Sequence, residues 1–76
     1  MTAPRKLDAR TEVAVLRRVA RLCRKEAATY ARWSEKAPNV TLGNEYERGR
    51  YVAECIALDC EHAARRIDRA AKGGKR

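Results

Sequence analysis

One helix-breaking segment, residues 37–44, interrupts the middle of a 76-residue chain whose other stretches have helical patterning. Pro38 lacks a backbone donor and crowds the preceding turn, so a helix arriving from the N-terminal side should end just before it. Beyond the proline, Asn44 followed by Glu47 predicts an N-cap with a reciprocating carboxylate, and Thr41 is a competing cap. The segment is therefore predicted to be a turn between two helices.

The two helical patterns have about the same length, and a chain this short forms one domain. We predict an all-α fold, an antiparallel two-helix hairpin that dimerises into a four-helix bundle. Asp8 is the predicted N-cap of the first helix, with Glu12 in its first turn. The predicted bounds are a helix at about 8–36, a turn at about 37–43, a helix at about 44–72 and a basic flexible tail at 73–76.

Each helical pattern carries an apolar stripe whose members alternate at spacings of four and three. In the first helix the stripe comprises Ala9, Val13, Leu16, Ala20, Cys23, Ala27, Tyr30 and Ser34. In the second helix it comprises Tyr46, Gly49, Ala53, Ile56, Cys60, Ala63, Ile67 and Ala70. We expect the stripes to face each other, with all four aromatic residues near the turn and Gly49 leaving room for a ring.

Apolar residues outside these stripes predict a second contact surface. Two helices cover only one stripe of each other, and a chain of this size has little core with which to stabilise a monomer. We therefore predict a homodimer. Its predicted interface comprises Val15, Leu22 and Trp33 of the first helix and Tyr51, Cys55, Leu58 and His62 of the second.

The charge of the chain favours a polyanionic partner. The formal net charge is +8, and cations share one side of the first helix whereas the second helix is balanced. Arginine forks suit bidentate contact with phosphate, so this side predicts a binding surface; the alternative is a solvated face with no partner. The predicted binding residues for nucleic acid or an acidic partner are Arg17, Arg18, Arg21, Arg24, Lys25 and Arg32.

The three cysteines and the single histidine do not form a catalytic or metal-binding motif. No Cys-x-x-Cys spacing occurs, and Cys23 and Cys60 are predicted to be small buried hydrophobic residues. His62 near Asp59 and Cys55 resembles a nucleophile and its base, but a thin hairpin offers no pocket around them. We predict that the protein is not an enzyme and binds no cofactor and no metal.

These patterns together predict a cytoplasmic module that works by binding. No apolar run is long enough for a membrane span and no signal segment is evident, so we expect no membrane partner. The preferred hypothesis is contact with nucleic-acid backbone, without base selection, through the first helix. The alternative is a protein-protein interaction module, an inhibitor or adaptor, that binds an acidic protein surface through the same side or through the side that carries Tyr51 and Leu58.

Overall fold

The computed structural model describes residues 8–73, which form two helices packed against each other. Helix α1 comprises Ala9–Glu35 and helix α2 comprises Val40–Gly73. The predicted two-helix hairpin is confirmed. Of the predicted basic tail, residues 74–76 lie outside the described part of the chain.

Asp8 begins α1 as predicted. Its backbone is extended, with φ −73° and ψ 162°, and its Oδ1 accepts a hydrogen bond from the backbone N–H of Thr11 at 2.7 Å. That hydrogen bond holds the pKa of the Asp8 carboxyl below its usual value. Glu12 lies in the first turn, where its negative charge suits the positive end of the helix dipole.

Helix α2 begins four residues earlier than predicted, so the turn is shorter. The cap is Asn39: its Oδ1 accepts from the N–H of Leu42 at 2.8 Å, and its carbonyl accepts from the N–H of Gly43 at 3.1 Å. The predicted caps Asn44 and Thr41 are wrong and lie inside the helix. An asparagine directly after the proline already satisfies the first amide donors, so the helix needs no later cap.

The core between the helices is built from small side chains. The buried residues are Val13, Ala20 and Ala27 of α1 and Ala53, Ala57 and Ala64 of α2. Ala57 is completely buried, which allows the two backbones to approach closely. Within residues 8–73 no large side chain is fully buried. The predicted stripe of α1 is confirmed as its inner face, because all eight members are buried or half-buried.

The inner face of α2 departs from the predicted stripe along the helix. Ala57 and Ala64 are buried where the prediction used Ile56 and Ala63, and Ile56 is 43% exposed. At 3.6 residues per turn, a strict four-three repeat drifts around a straight helix by about 20° per heptad. The stripe therefore leaves the inner face, and its last member, Ala70, is exposed.

Three aromatic residues cluster at the turn end. The ring centroids of Tyr30 and Trp33 are 5.7 Å apart, edge to face, and those of Trp33 and Tyr46 are 5.6 Å apart. A Cβ atom on Gly49 would lie 2.8 Å from Cζ of Tyr30, so the predicted packing role of this glycine is confirmed. The prediction is wrong for Tyr51, which is 69% exposed because it lies on the side of α2 that faces away from α1.

Candidate nucleic-acid interface

The strongest candidate site is a row of cations on the solvent side of α1. We define this cationic strip as Arg17, Arg18, Arg21, Lys25 and Arg32, all of them exposed. From its first to its last member the strip extends about 22 Å along the helix axis. No carboxylate of residues 8–73 lies within ion-pair distance of these five side chains.

The two helices differ sharply in charge. Helix α1 has seven basic and three acidic residues, for a net charge of +4, whereas α2 has six of each. The acids of α2 are largely paired within their own helix: Glu45 with Arg48 at 3.3 Å, Glu47 with Arg50 at 3.3 Å, and Asp68 with Lys72 at 3.1 Å. The excess positive charge of the hairpin therefore lies on α1.

Arg24, a predicted binding residue, is engaged with the other helix. Its Nε and Nη2 donate to the two carboxylate oxygens of Glu61 at 2.9 and 2.8 Å. The sequence suggests instead a pair of Glu61 with Arg65 one turn away, but the two-bond fork to Arg24 is the stronger arrangement. The bond raises the pKa of Arg24 and lowers that of Glu61. Arg24 thus joins the helices, and we leave it out of the cationic strip.

We expect acid to weaken the hairpin through Glu61. Because the folded-state pKa of this carboxyl is lowered, the pair with Arg24 adds stability above the ordinary carboxyl pKa, and that stability is lost as pH falls through the lowered pKa. The variant Arg24→Leu should lack this contribution, while Asp8 still titrates in both proteins. The measurement is the urea unfolding midpoint by circular dichroism from neutral pH to about pH 3. Parallel pH profiles for the two proteins would contradict the prediction.

One cation of α2 that the sequence prediction left out, Arg65, lies near the N-terminal part of the strip. Four side chains line one shallow depression on the last turns of α2, namely His62, Arg65, Arg66 and Arg69. A second depression is lined by Arg17, Glu61 and Arg65, so it joins the two helices. The signal was present in the sequence, since antiparallel pairing sets the basic end of α2 beside the start of α1.

The predicted dimer-interface residues all have exposed surface, but they lie on two different sides of the hairpin. Val15, Leu22 and Trp33 are about half exposed on α1. Tyr51, Leu58 and His62 are exposed and Cys55 is half-buried, on the side of α2 that faces away from α1. At 100° per residue these two groups do not form one continuous surface on a single hairpin. The predicted interface stays a prediction.

An apolar groove that was not predicted runs between the helices. We define its groove face as Cys23, Glu26, Tyr30, Gly49, Val52 and Ile56, which line an open space of about 510 Å³ together with three neighbours. Val52 is 55% exposed, more than Ile56. Around α1, Glu26 and Arg21 point roughly 140° apart, so the groove face is turned away from the cationic strip.

Within residues 8–73, no group of three or more His, Cys, Asp or Glu side chains is arranged to hold a metal ion. The three cysteines are free thiols, and Cys23 and Cys60 are half-buried, which is less than predicted. The aliphatic core is too thin to cover them, because its buried members are mostly alanines. The absence of enzymatic activity and of cofactors stays a prediction.

Comparisons with known proteins do not assign the chain to a family. No protein-family model, no curated protein and no solved structure matched it. Neither of the two helices, over the part of the chain that is described, is long and apolar enough to cross a membrane. The function must therefore be inferred from the charge and the geometry of the surfaces described above.

Proposed function

We propose that this protein is a non-enzymatic helical module that binds nucleic-acid backbone through the cationic strip. The observation that carries this proposal is the unequal charge of the two helices, +4 on α1 against zero on α2. A guanidinium group can donate two parallel hydrogen bonds to the oxygens of a phosphate, and four of the five strip residues are arginines. Backbone contacts carry no sequence information, so we expect binding without base preference.

The dimensions of the strip suit this partner. Duplex DNA carries one negative charge per about 1.7 Å of helix axis, so a length of duplex equal to the roughly 22 Å of the strip carries about a dozen phosphates around its circumference. The phosphates along this length outnumber the five cations of the strip, so each cation can be matched with one. No aromatic side chain belongs to the strip, which favours contact with phosphates over stacking on bases.

We also propose that the protein acts as a homodimer that forms a four-helix bundle. The core of one hairpin is a single valine and five alanines, so it buries little apolar surface. Stable domains pack at least two layers of secondary structure around a shared core, and one hairpin supplies a single layer. A second hairpin would complete the bundle.

Binding to a generic DNA duplex should weaken steeply with salt. If each strip cation neutralises one phosphate, the slope of log K against log salt is about −4.5, or roughly 500-fold between 50 and 200 mM. The measurement is fluorescence anisotropy of a short labelled duplex, with a second duplex of unrelated sequence as the control for base preference. Absence of binding at the lowest salt concentration would contradict the proposal.

The second candidate partner is an acidic protein surface. It is favoured by the same exposed arginines, because carboxylates match the guanidinium fork as well as phosphates do. The module would then be an inhibitor or adaptor. This candidate would be supported if the protein does not bind the duplex at low salt but binds a polyglutamate chain with a steep salt dependence.

A further inference from the structure

We infer that a second copy of this chain docks on the groove face, and not on the side of α2 that carries Tyr51 and Leu58. The inference rests on the homodimer proposed above and names the surface that forms it. Val52 and Ile56 are 55% and 43% exposed in the single hairpin, although both sit beside the helix contact. Apolar side chains that are exposed beside a helix-helix contact become part of a core when a second pair of helices packs over them.

The apolar surface continues well beyond the groove itself. On α1, Val15, Val19 and Leu22 precede Glu26 at spacings of four, three and four, so they extend the groove face toward the start of the helix. On α2, Ala63 and Ile67 follow Ile56 in the same way and are half-buried. The surface therefore runs along most of the hairpin.

The size of this face matches what a stable dimer needs. Helix α1 has 27 residues and is about 40 Å long. Two helices packed 8–10 Å apart present a side roughly 18–20 Å wide, so the face covers about 700–800 Å². Stable protein interfaces bury about 800 Å² on each partner.

The groove carries few charges, which suits burial against a second copy. Its α1 wall has one acid, Glu26, and its α2 wall has Glu45 and Arg48, which pair with each other at 3.3 Å. A two-fold axis running along the groove places α1 of one copy over α2 of the other, so Glu26 of each copy faces Arg48 of the other. The outer side of α2 is less suitable, because Arg65, Arg66 and Arg69 would have to be brought together or desolvated there.

Two adjacent positions of α2 give a matched test. Val52 belongs to the groove face, whereas Tyr51 is 69% exposed on the outer side of the same turn. The experiment is sedimentation equilibrium of the full chain at micromolar concentration, for wild type, Val52→Glu and Tyr51→Glu, with helix content followed by circular dichroism. We expect a wild-type mass of twice 8.6 kDa, a dissociation constant raised at least about 100-fold in Val52→Glu, and little change in Tyr51→Glu.

The possible outcomes distinguish two questions, namely whether the chain forms a dimer and which surface forms its interface. A monomeric wild type overturns the proposed self-association. A dimeric wild type whose mass survives Val52→Glu overturns only the groove face, and dissociation by Tyr51→Glu alone moves the interface to the outer side of α2. If Val52→Glu loses both its partner and its helices, the inference is supported, because a half-exposed valine is not part of the core of one hairpin.

Discussion

Replacing Ala57 with leucine should remove a large part of the net stability of this protein and lower its unfolding midpoint. Ala57 has no exposed surface and belongs to the core between the two helices. Extra methylene groups in a packed core cost about 1–3 kcal/mol, and a core of this size supplies only about 3–5 kcal/mol of net stability. The measurement is thermal unfolding by circular dichroism at a fixed protein concentration.

Ala28→Leu is the matched control for this prediction. The substitution is the same and the helix propensities are alike, but Ala28 is exposed on α1. We expect its unfolding midpoint to stay within a few degrees of wild type, since surface substitutions usually change stability by less than about 0.5 kcal/mol. An equal fall of the unfolding midpoint in both variants would mean that the alanine-rich core between the helices is not tightly packed at Ala57.

The double variant Arg21→Glu with Lys25→Glu should abolish duplex binding while the helices stay formed. Two phosphate contacts are lost and two repulsive charges are added, so affinity should fall by more than about 100-fold at low salt. Both side chains are exposed, and the structure gives them no ion pair within residues 8–73. The measurement is the anisotropy titration described above, with helix content checked by circular dichroism.

A control variant with the same net charge as the strip variant distinguishes the contribution of the strip residues to duplex binding from the effect of net charge. Arg66→Glu with Arg69→Glu removes the same charge from the exposed end of α2. If the proposal is right, this control binds the duplex more tightly than the strip variant. Equal affinities would show that total charge governs binding. Arg24 is unsuitable for such a test, because a carboxylate at this position would face Glu61 and weaken the contact between the helices.

The inner face of α1 and the N-cap at Asp8 could be predicted from sequence because each depends on local features. Apolar spacing along one helix and a carboxylate before its first turn need no knowledge of the partner helix. The predicted start of α2 is wrong because the prediction considered only Asn44 and Thr41 as caps, whereas Asn39, directly after the proline, caps the helix through the N–H of Leu42. The shorter turn became visible only in the packed hairpin.

The groove face and the bond between Arg24 and Glu61 could not be predicted, because both depend on how the two helices are rotated against each other. The rotation of α2 about its own axis places Ala57 in the core and leaves Ile56, about 100° away around the helix, at the rim. The same rotation brings a guanidinium and a carboxylate 37 residues apart into contact. Sequence spacing fixes angles within a helix but leaves this relative rotation open.

The hairpin is one helix layer thick, and its cationic strip and groove face point to opposite sides of that layer. If two copies meet groove to groove, each strip is left on an outer surface of the bundle. The strips would then be separated by about two helix diameters, roughly 20–24 Å. Such a particle would hold a separate duplex on each side, so its mechanical effect would be to bridge neighbouring nucleic-acid segments and not to coat a single one.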